Sequence, residues 1–136
     1  RMERQKKVLD ASVITKWFTT EENTDKAIAL REAHKNGEIL IVVPELLFAE
    51  VLNSLRYKKS HEHLLEETNK ALWEMEFEII GMTESLLMNA ILLAQKHNLT
   101  MYDALYVSVA HFHGAPFITA DADLAKLPNS ISLEKT

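Results

Sequence analysis

Apolar positions along this chain fall into short solid runs and into runs spaced by three and four residues. KVLDAS, residues 7–12, is a brief apolar run closing on Asp10 and predicts a first strand. VITKWF continues from it as a short helix. EENTDKAIALREAHKNG carries its apolar residues at helical spacing, with Asn23 or Thr24 as N-cap and Gly37 as stop. EILIVVP has no polar alternation, the mark of a strand covered on both faces. After Pro44, Leu47, Val51 and Leu55 recur at helical spacing within ELLFAEVLNSLRYKK. EHLLEETNKALWEM reads as an amphipathic helix, FEIIGM as a strand, and TESLLMNAILLAQKHN as a helix capped by Thr83. TMYDALYVSVA, residues 100–110, is apolar on nearly every side of a helix that runs to Gly114, so it is expected inside the protein. APFITA predicts a strand, DADLAKL a short helix and SISLE a last strand.

Strands alternating with helices imply an α/β fold, a parallel sheet with helices on both faces joined by right-handed crossovers. Residues 1–136 read as one domain, without internal repeat or linker. Arg1 ahead of Met2 reads as a remnant of cloning. Cysteine is absent, which removes disulfides and thiolate metal sites. Asp10 interrupts the first apolar run too early for a signal-peptide core. Nowhere do about 18 apolar residues run together, so no span of a membrane is expected. A reduced, cytoplasmic protein is the expectation. Net charge is −5, which argues against a basic coat for general nucleic-acid binding. It leaves room for an enzyme whose acids are gathered in one pocket and offset by metal.

The placement of the acids therefore decides more than their number. In parallel α/β sheets, ligands bind beyond the carboxyl ends of the strands. Asp10 leaves one apolar strand at that end and Asp121 leaves another, with Asp123 two residues later. Glu50 stands inside LLFAEVLNSL and Asp103 at the head of the apolar helix. Structural explanations compete at each position. Asp10 and Asp121 suit helix N-caps, and Glu50 suits the wet side of its helix. Thr100 and Asp103 have the T-x-x-D spacing of a capping box. Glu45, Glu62, Glu66, Glu67, Glu74 and Glu84 read as surface acids. If the first four acids share a crevice, each raises the others' pKa, and a hard divalent cation resolves the conflict. Oxygen donors without cysteine favour Mg2+ or Mn2+ over zinc. The matching reaction is hydrolysis of a phosphodiester.

VLDASVITKWF, PELLFAEVLNSL, MYDALYVSVAHFHG and FITADADLAKL, in this order, resemble the PIN-domain family and within it the VapC-type toxin ribonucleases. The resemblance implies a three-layer α/β/α sandwich around a central parallel sheet and Mg2+- or Mn2+-dependent endoribonuclease activity on RNA. It also implies a homodimer and a small cognate antitoxin. By motif, the metal-holding acids fall on Asp10, Glu50, Asp103 and Asp121. Asp10 and Asp103 would be the principal ligands, Glu50 and Asp121 would complete the cluster, and Asp123 is a further candidate. Ser12 and Thr119 match the supporting hydroxyl positions.

Other residues are weighed by chemistry alone. Arg56, Lys58 and Lys59, in RYKK, suit an RNA backbone, although cations also suit a helix carboxyl end. Lys16, near Asp10 in sequence, suits a phosphate or plain surface. His61 and His63, like His111 and His113, are spaced by two and point apart on a helix, so neither pair chelates there. Trp17 and Phe18 suit packing better than base stacking. Met75, Met82 and Met88 suit core or interface filling. Three other functions remain in play. One is a non-catalytic RNA-binding or assembly module, and another an RNA-processing nuclease that is not a toxin. The third is a phosphatase or receiver-like domain, which VLDAS disfavours by lacking a second acid two residues on.

Overall fold

The computed structural model describes residues 3–136, so Arg1 and Met2 lie outside the described residues. Strands β1 (Gln5–Leu9), β2 (Ile39–Pro44), β3 (Glu78–Ile80), β4 (Phe117–Thr119) and β5 (Ser130–Ser132) form one sheet in the order β3-β2-β1-β4-β5. Every pairing is parallel. Ile41, Val42 and Val43 of β2 are fully buried, as a run without polar alternation requires. The edge strands β3 and β5 are short and only partly buried, which limits pairing with other chains.

Helices α1 (Ala11–Ile14) and α2 (Thr24–Lys35) fill the first crossover, with a 3-10 turn at Thr15–Trp17 between them. Helices α3 (Leu46–Arg56) and α4 (Leu65–Glu74) fill the second, and α5 (Glu84–His97) and α6 (Met101–His113) the third. Each long crossover thus holds paired helices, as the sequence predicts. Right-handed connections put α1–α4 on one face of the sheet and α5 and α6 on the other, because the third crossover runs back across it. Contacts agree: α1 packs on α3, whereas α6 lies over β1, β2 and β4 with α5 along its side. Three layers result.

Local chemistry sets the helix ends. The Asp103 N–H donates to Thr100 Oγ1 at 3.1 Å, and the Leu86 N–H to Thr83 Oγ1 at 3.2 Å. Caps of this kind are worth about 1 kcal/mol each. Asn23 takes the N-cap position of α2 in the left-handed region, φ 64°, without a side-chain cap bond. Gly37, at φ 79°, ends α2 with its N–H on the His34 carbonyl and the Glu38 N–H on the Ala33 carbonyl. That pairing closes a Schellman motif.

Two expectations need adjustment. The segment at 100–110 is buried through Ala104, Leu105, Tyr106, Ser108, Val109 and Ala110, but Met101 and Tyr102 are exposed. One flank of α6 is therefore open. Met82 and Met88 are also exposed, which removes the core alternative for both. Trp17 does pack, its Nε1 donating to the Ala27 carbonyl at 2.8 Å. Among the described residues, no helix is long and apolar enough to cross a membrane.

Candidate active site

Strands β1 and β4 are neighbours whose following connections leave to different places, the arrangement that opens a crevice at the carboxyl ends of a parallel sheet. Asp10 follows β1 into this crevice and is 7% exposed. Its Oδ1 accepts from the Ser12 hydroxyl at 2.5 Å and its Oδ2 from the Thr119 hydroxyl at 2.7 Å. Both hydroxyls are relayed onward. Ser12 Oγ accepts from the Ala120 N–H at 3.1 Å, and Thr119 Oγ1 from the Asp121 N–H at 3.0 Å. The carboxylate is thereby tied to the ends of both strands. Asp10 occupies the N-cap position of α1. There the nearby Val13 N–H helps to lower its pKa but makes no well-formed side-chain cap bond, so capping accounts for little of its placement.

Glu50 comes from α3 and Asp103 from the first turn of α6, and both are half-buried. Tyr106, one turn after Asp103, is 2% exposed. Its hydroxyl donates to Glu50 Oε1 at 2.6 Å. Asp121 Oδ1 accepts from the backbone N–H of Asp123 at 2.8 Å and of Leu124 at 2.9 Å. Capping therefore accounts for one of its oxygens.

The four acids share an electrostatic environment. Burial pushes the Asp10 carboxyl up to about 6, its two hydroxyl donors pull it back, and the charge of Asp103 adds to the rise. Glu50 is raised by burial and further by Asp103, with the Tyr106 hydrogen bond opposing. Asp103 is raised by burial and then by Asp121. Burial, the bond to Glu50 and the charges of Glu50, Asp10 and Asp103 hold the Tyr106 phenol far above its ordinary range. Asp103 is thus the hub that feels or perturbs every other acid. The donors are all oxygen, and mutual repulsion of this kind is what a divalent cation relieves. Their chemistry fits such an ion. Their spacing is looser, since among the described residues no three Asp, Glu or His side chains stand together as a formed ligand group.

The model of the PIN domain matches residues 7–129. This chain belongs to the PIN domain family. Ribonuclease VapC3 of Pyrobaculum aerophilum is 33% identical to it over 128 residues, spanning 89% of this chain and 93% of that protein. Two solved structures share its fold. PAE2754 from Pyrobaculum aerophilum superposes with a TM-score of 0.72 at 22% identity, covering 96% of this chain and 85% of that one. A toxin–antitoxin complex from Klebsiella pneumoniae gives 0.71 at 16% identity, covering 93% and 96%.

Other residues of this PIN domain fall outside the acid group. Asp123 has a side chain 94% exposed and pairs with Lys126 at 3.7 Å, so it faces solvent. Lys16 is largely covered and pairs with Glu21 at 3.5 Å. Arg56 pairs with Glu62 at 2.8 Å and lies over the Tyr57 ring, while Lys58 lies 3.8 Å from Glu21. Lys59 is exposed. Tyr106 is the residue that sequence reasoning passed over. Its signal was available: a hydroxyl three residues after Asp103, hence on the same helix face, in an otherwise apolar run.

Proposed function

We propose that this PIN domain is an endoribonuclease that hydrolyses RNA phosphodiester bonds with Mg2+ or Mn2+, and that it is the toxin of a toxin–antitoxin pair. The hydrogen-bond and electrostatic links among Asp10, Glu50, Asp103 and Asp121, running from the carboxyl ends of β1 and β4 to α3 and α6, carry the reading. Its relative named Ribonuclease VapC3 supports the chemistry, and the fold shared with a toxin–antitoxin complex supports a small protein partner. Asp10 and Asp103 would hold the ion directly, with Glu50 and Asp121 reaching it through water, in keeping with the water that Mg2+ retains. An ion held there would polarise a phosphoryl group and lower the pKa of water.

The chain's own contribution is orientation. Ser12 and Thr119 fix both oxygens of Asp10, and the Thr100 cap fixes the turn that bears Asp103. Of the basic residues, Lys59 carries no ion pair among the described residues and is the freest to meet an RNA backbone. Arg56, Lys58 and Lys16 would first have to leave their acids.

Cleavage of total RNA with Mg2+ or Mn2+ tests the reading, alongside Asp103→Asn. That substitution keeps the backbone bond to Thr100 and removes one charge. Loss of about 100-fold or more in rate is expected, because removing one electrostatic partner of a transition state typically costs that much. Equal activity would refute the assigned role. The looseness of the acid group favours a second reading, an RNA-binding module without catalysis. It predicts RNA retention in EDTA and no products with any divalent ion.

A further inference from the structure

We propose that Tyr106 is a positioning residue for Glu50, clamping that carboxylate across the carboxyl end of the sheet so that its second oxygen serves the acid group. The inference rests on the nuclease reading above and extends it to a residue outside the acidic set. Glu50 belongs to α3, on one face of the sheet, and Tyr106 to α6, on the other. Their bond at 2.6 Å therefore joins the two helical layers beside Asp103, whose charge Glu50 feels. The geometry is rigid on the tyrosine side. Tyr106 is 2% exposed, and its ring lies 6.4 Å from that of Phe117 on β4, the strand that leads to Thr119 and Asp121. On the other side Glu50 is half-buried on a helix flank, and this is the bond that the described residues give its carboxylate. Without the phenol, the long side chain would be free among its rotamers. Tyr106 also sits one turn from Asp103, so a single helix sets the position of Asp103 and the direction of Glu50.

A buried phenol needs a partner for its hydroxyl, and packing alone would be satisfied by phenylalanine. A structural role predicts that Tyr106→Phe shifts the melting temperature and nothing else. A positioning role predicts a loss that passes through Glu50. Groups that orient ligands in this way typically account for 10- to 100-fold in metal affinity or activity.

The test is a double-mutant cycle of Tyr106→Phe and Glu50→Gln, read twice on the full chain. One readout is the Mn2+ affinity by calorimetry, without RNA. The other is kcat and KM on a short RNA. Tyr106→Phe should weaken Mn2+ binding or kcat by roughly 10-fold with KM little changed, and should have no further effect once Glu50 is Gln. Unchanged Mn2+ affinity and kcat in Tyr106→Phe would overturn the proposal, as would an equal loss in both backgrounds. If the natural chain binds Mn2+ with the predicted coupling but cuts no RNA, the nuclease reading fails and the clamp stands. If RNA is cut and the coupling is absent, the clamp fails alone. If Mn2+ does not bind, both fail.

Discussion

A buried carboxylate is costly to keep ionised even when two hydroxyls donate to it. Asp10 is the case in point, with its carboxyl pushed up to about 6 chiefly by burial. For an acid raised above its unfolded value, the folded state holds the proton more tightly. Stability is then greatest at pH below the unfolded value and is lost as pH rises through the folded one. At neutral pH the ionised Asp10 should cost the metal-free protein of the order of 2–3 kcal/mol, at about 1.4 kcal/mol per unit. Asp10→Asn removes the charge and keeps the shape. In EDTA at pH 7.5 the variant should melt higher than the natural protein, and the gap should close toward pH 5. A variant that melts lower at pH 7.5 would show that the hydroxyl bonds outweigh desolvation.

At the scale of elements, His34 joins three of them without entering the acid group. It is buried near the end of α2, its Nδ1 accepts from the Ile41 N–H of β2 at 3.0 Å, and its Nε2 donates to the carbonyl of Met75, just after α4, at 2.6 Å. An acceptor role at Nδ1 requires the neutral ring, and burial holds the His34 pKa below its ordinary value. The unfolded chain therefore takes up a proton first. The contribution of His34 is complete above about pH 6.5 and declines as pH falls from there through the folded pKa. Asp10 acts with the opposite sign over part of that range, as do Glu50 and Asp103. The Asp10→Asn background removes one large opposing contribution, and the comparison with and without His34 isolates the effect. There, melting temperature should fall between pH 6.5 and 5, and a further His34→Gln should flatten the slope. An unchanged slope would remove His34 as the cause. His34 also marks a limit of legibility. Its sequence surroundings, REAHKNG, show a helix end and nothing of a bond to Met75, 41 residues away. The elements that sequence does predict are those with strong local signals: β2 from its solid run, α5 and α6 from Thr83 and Thr100, α2 from Gly37. The nearness of Asp10 to Asp121 was legible because strand ends in a parallel sheet share one edge. Glu50 and Asp103, on α3 and α6, were instead singled out by their apolar surroundings and the family resemblance. The hydroxyl clamp of Tyr106 on Glu50 was not, because it depends on the distance between layers.

At the scale of the whole molecule, the outer helical layer remains unfinished. Met88 and Leu92 stand one turn apart on α5, 55% and 64% exposed, with Ile91 beside them, and Phe112 of α6 is 55% exposed. A net charge of −5 gives no reason for apolar side chains to face water there. The homodimer that the resemblance implies would supply an occupant, a second copy presenting the same helices in an isologous contact. A stable dimer covers roughly 800 Å² per chain. Leu92→Glu should therefore separate the copies, because a charge would have to be buried against its own image. It should leave the chain folded, since exposed positions away from special features usually change stability by less than about 0.5 kcal/mol. Light scattering should give a dimer mass for the natural chain and a monomer mass for the variant, with the same circular dichroism and the same Mn2+ affinity. A natural chain that is monomeric at 100-fold dilution and at high concentration alike would leave α5 free for a different protein. A variant that stays dimeric would move the contact to another face.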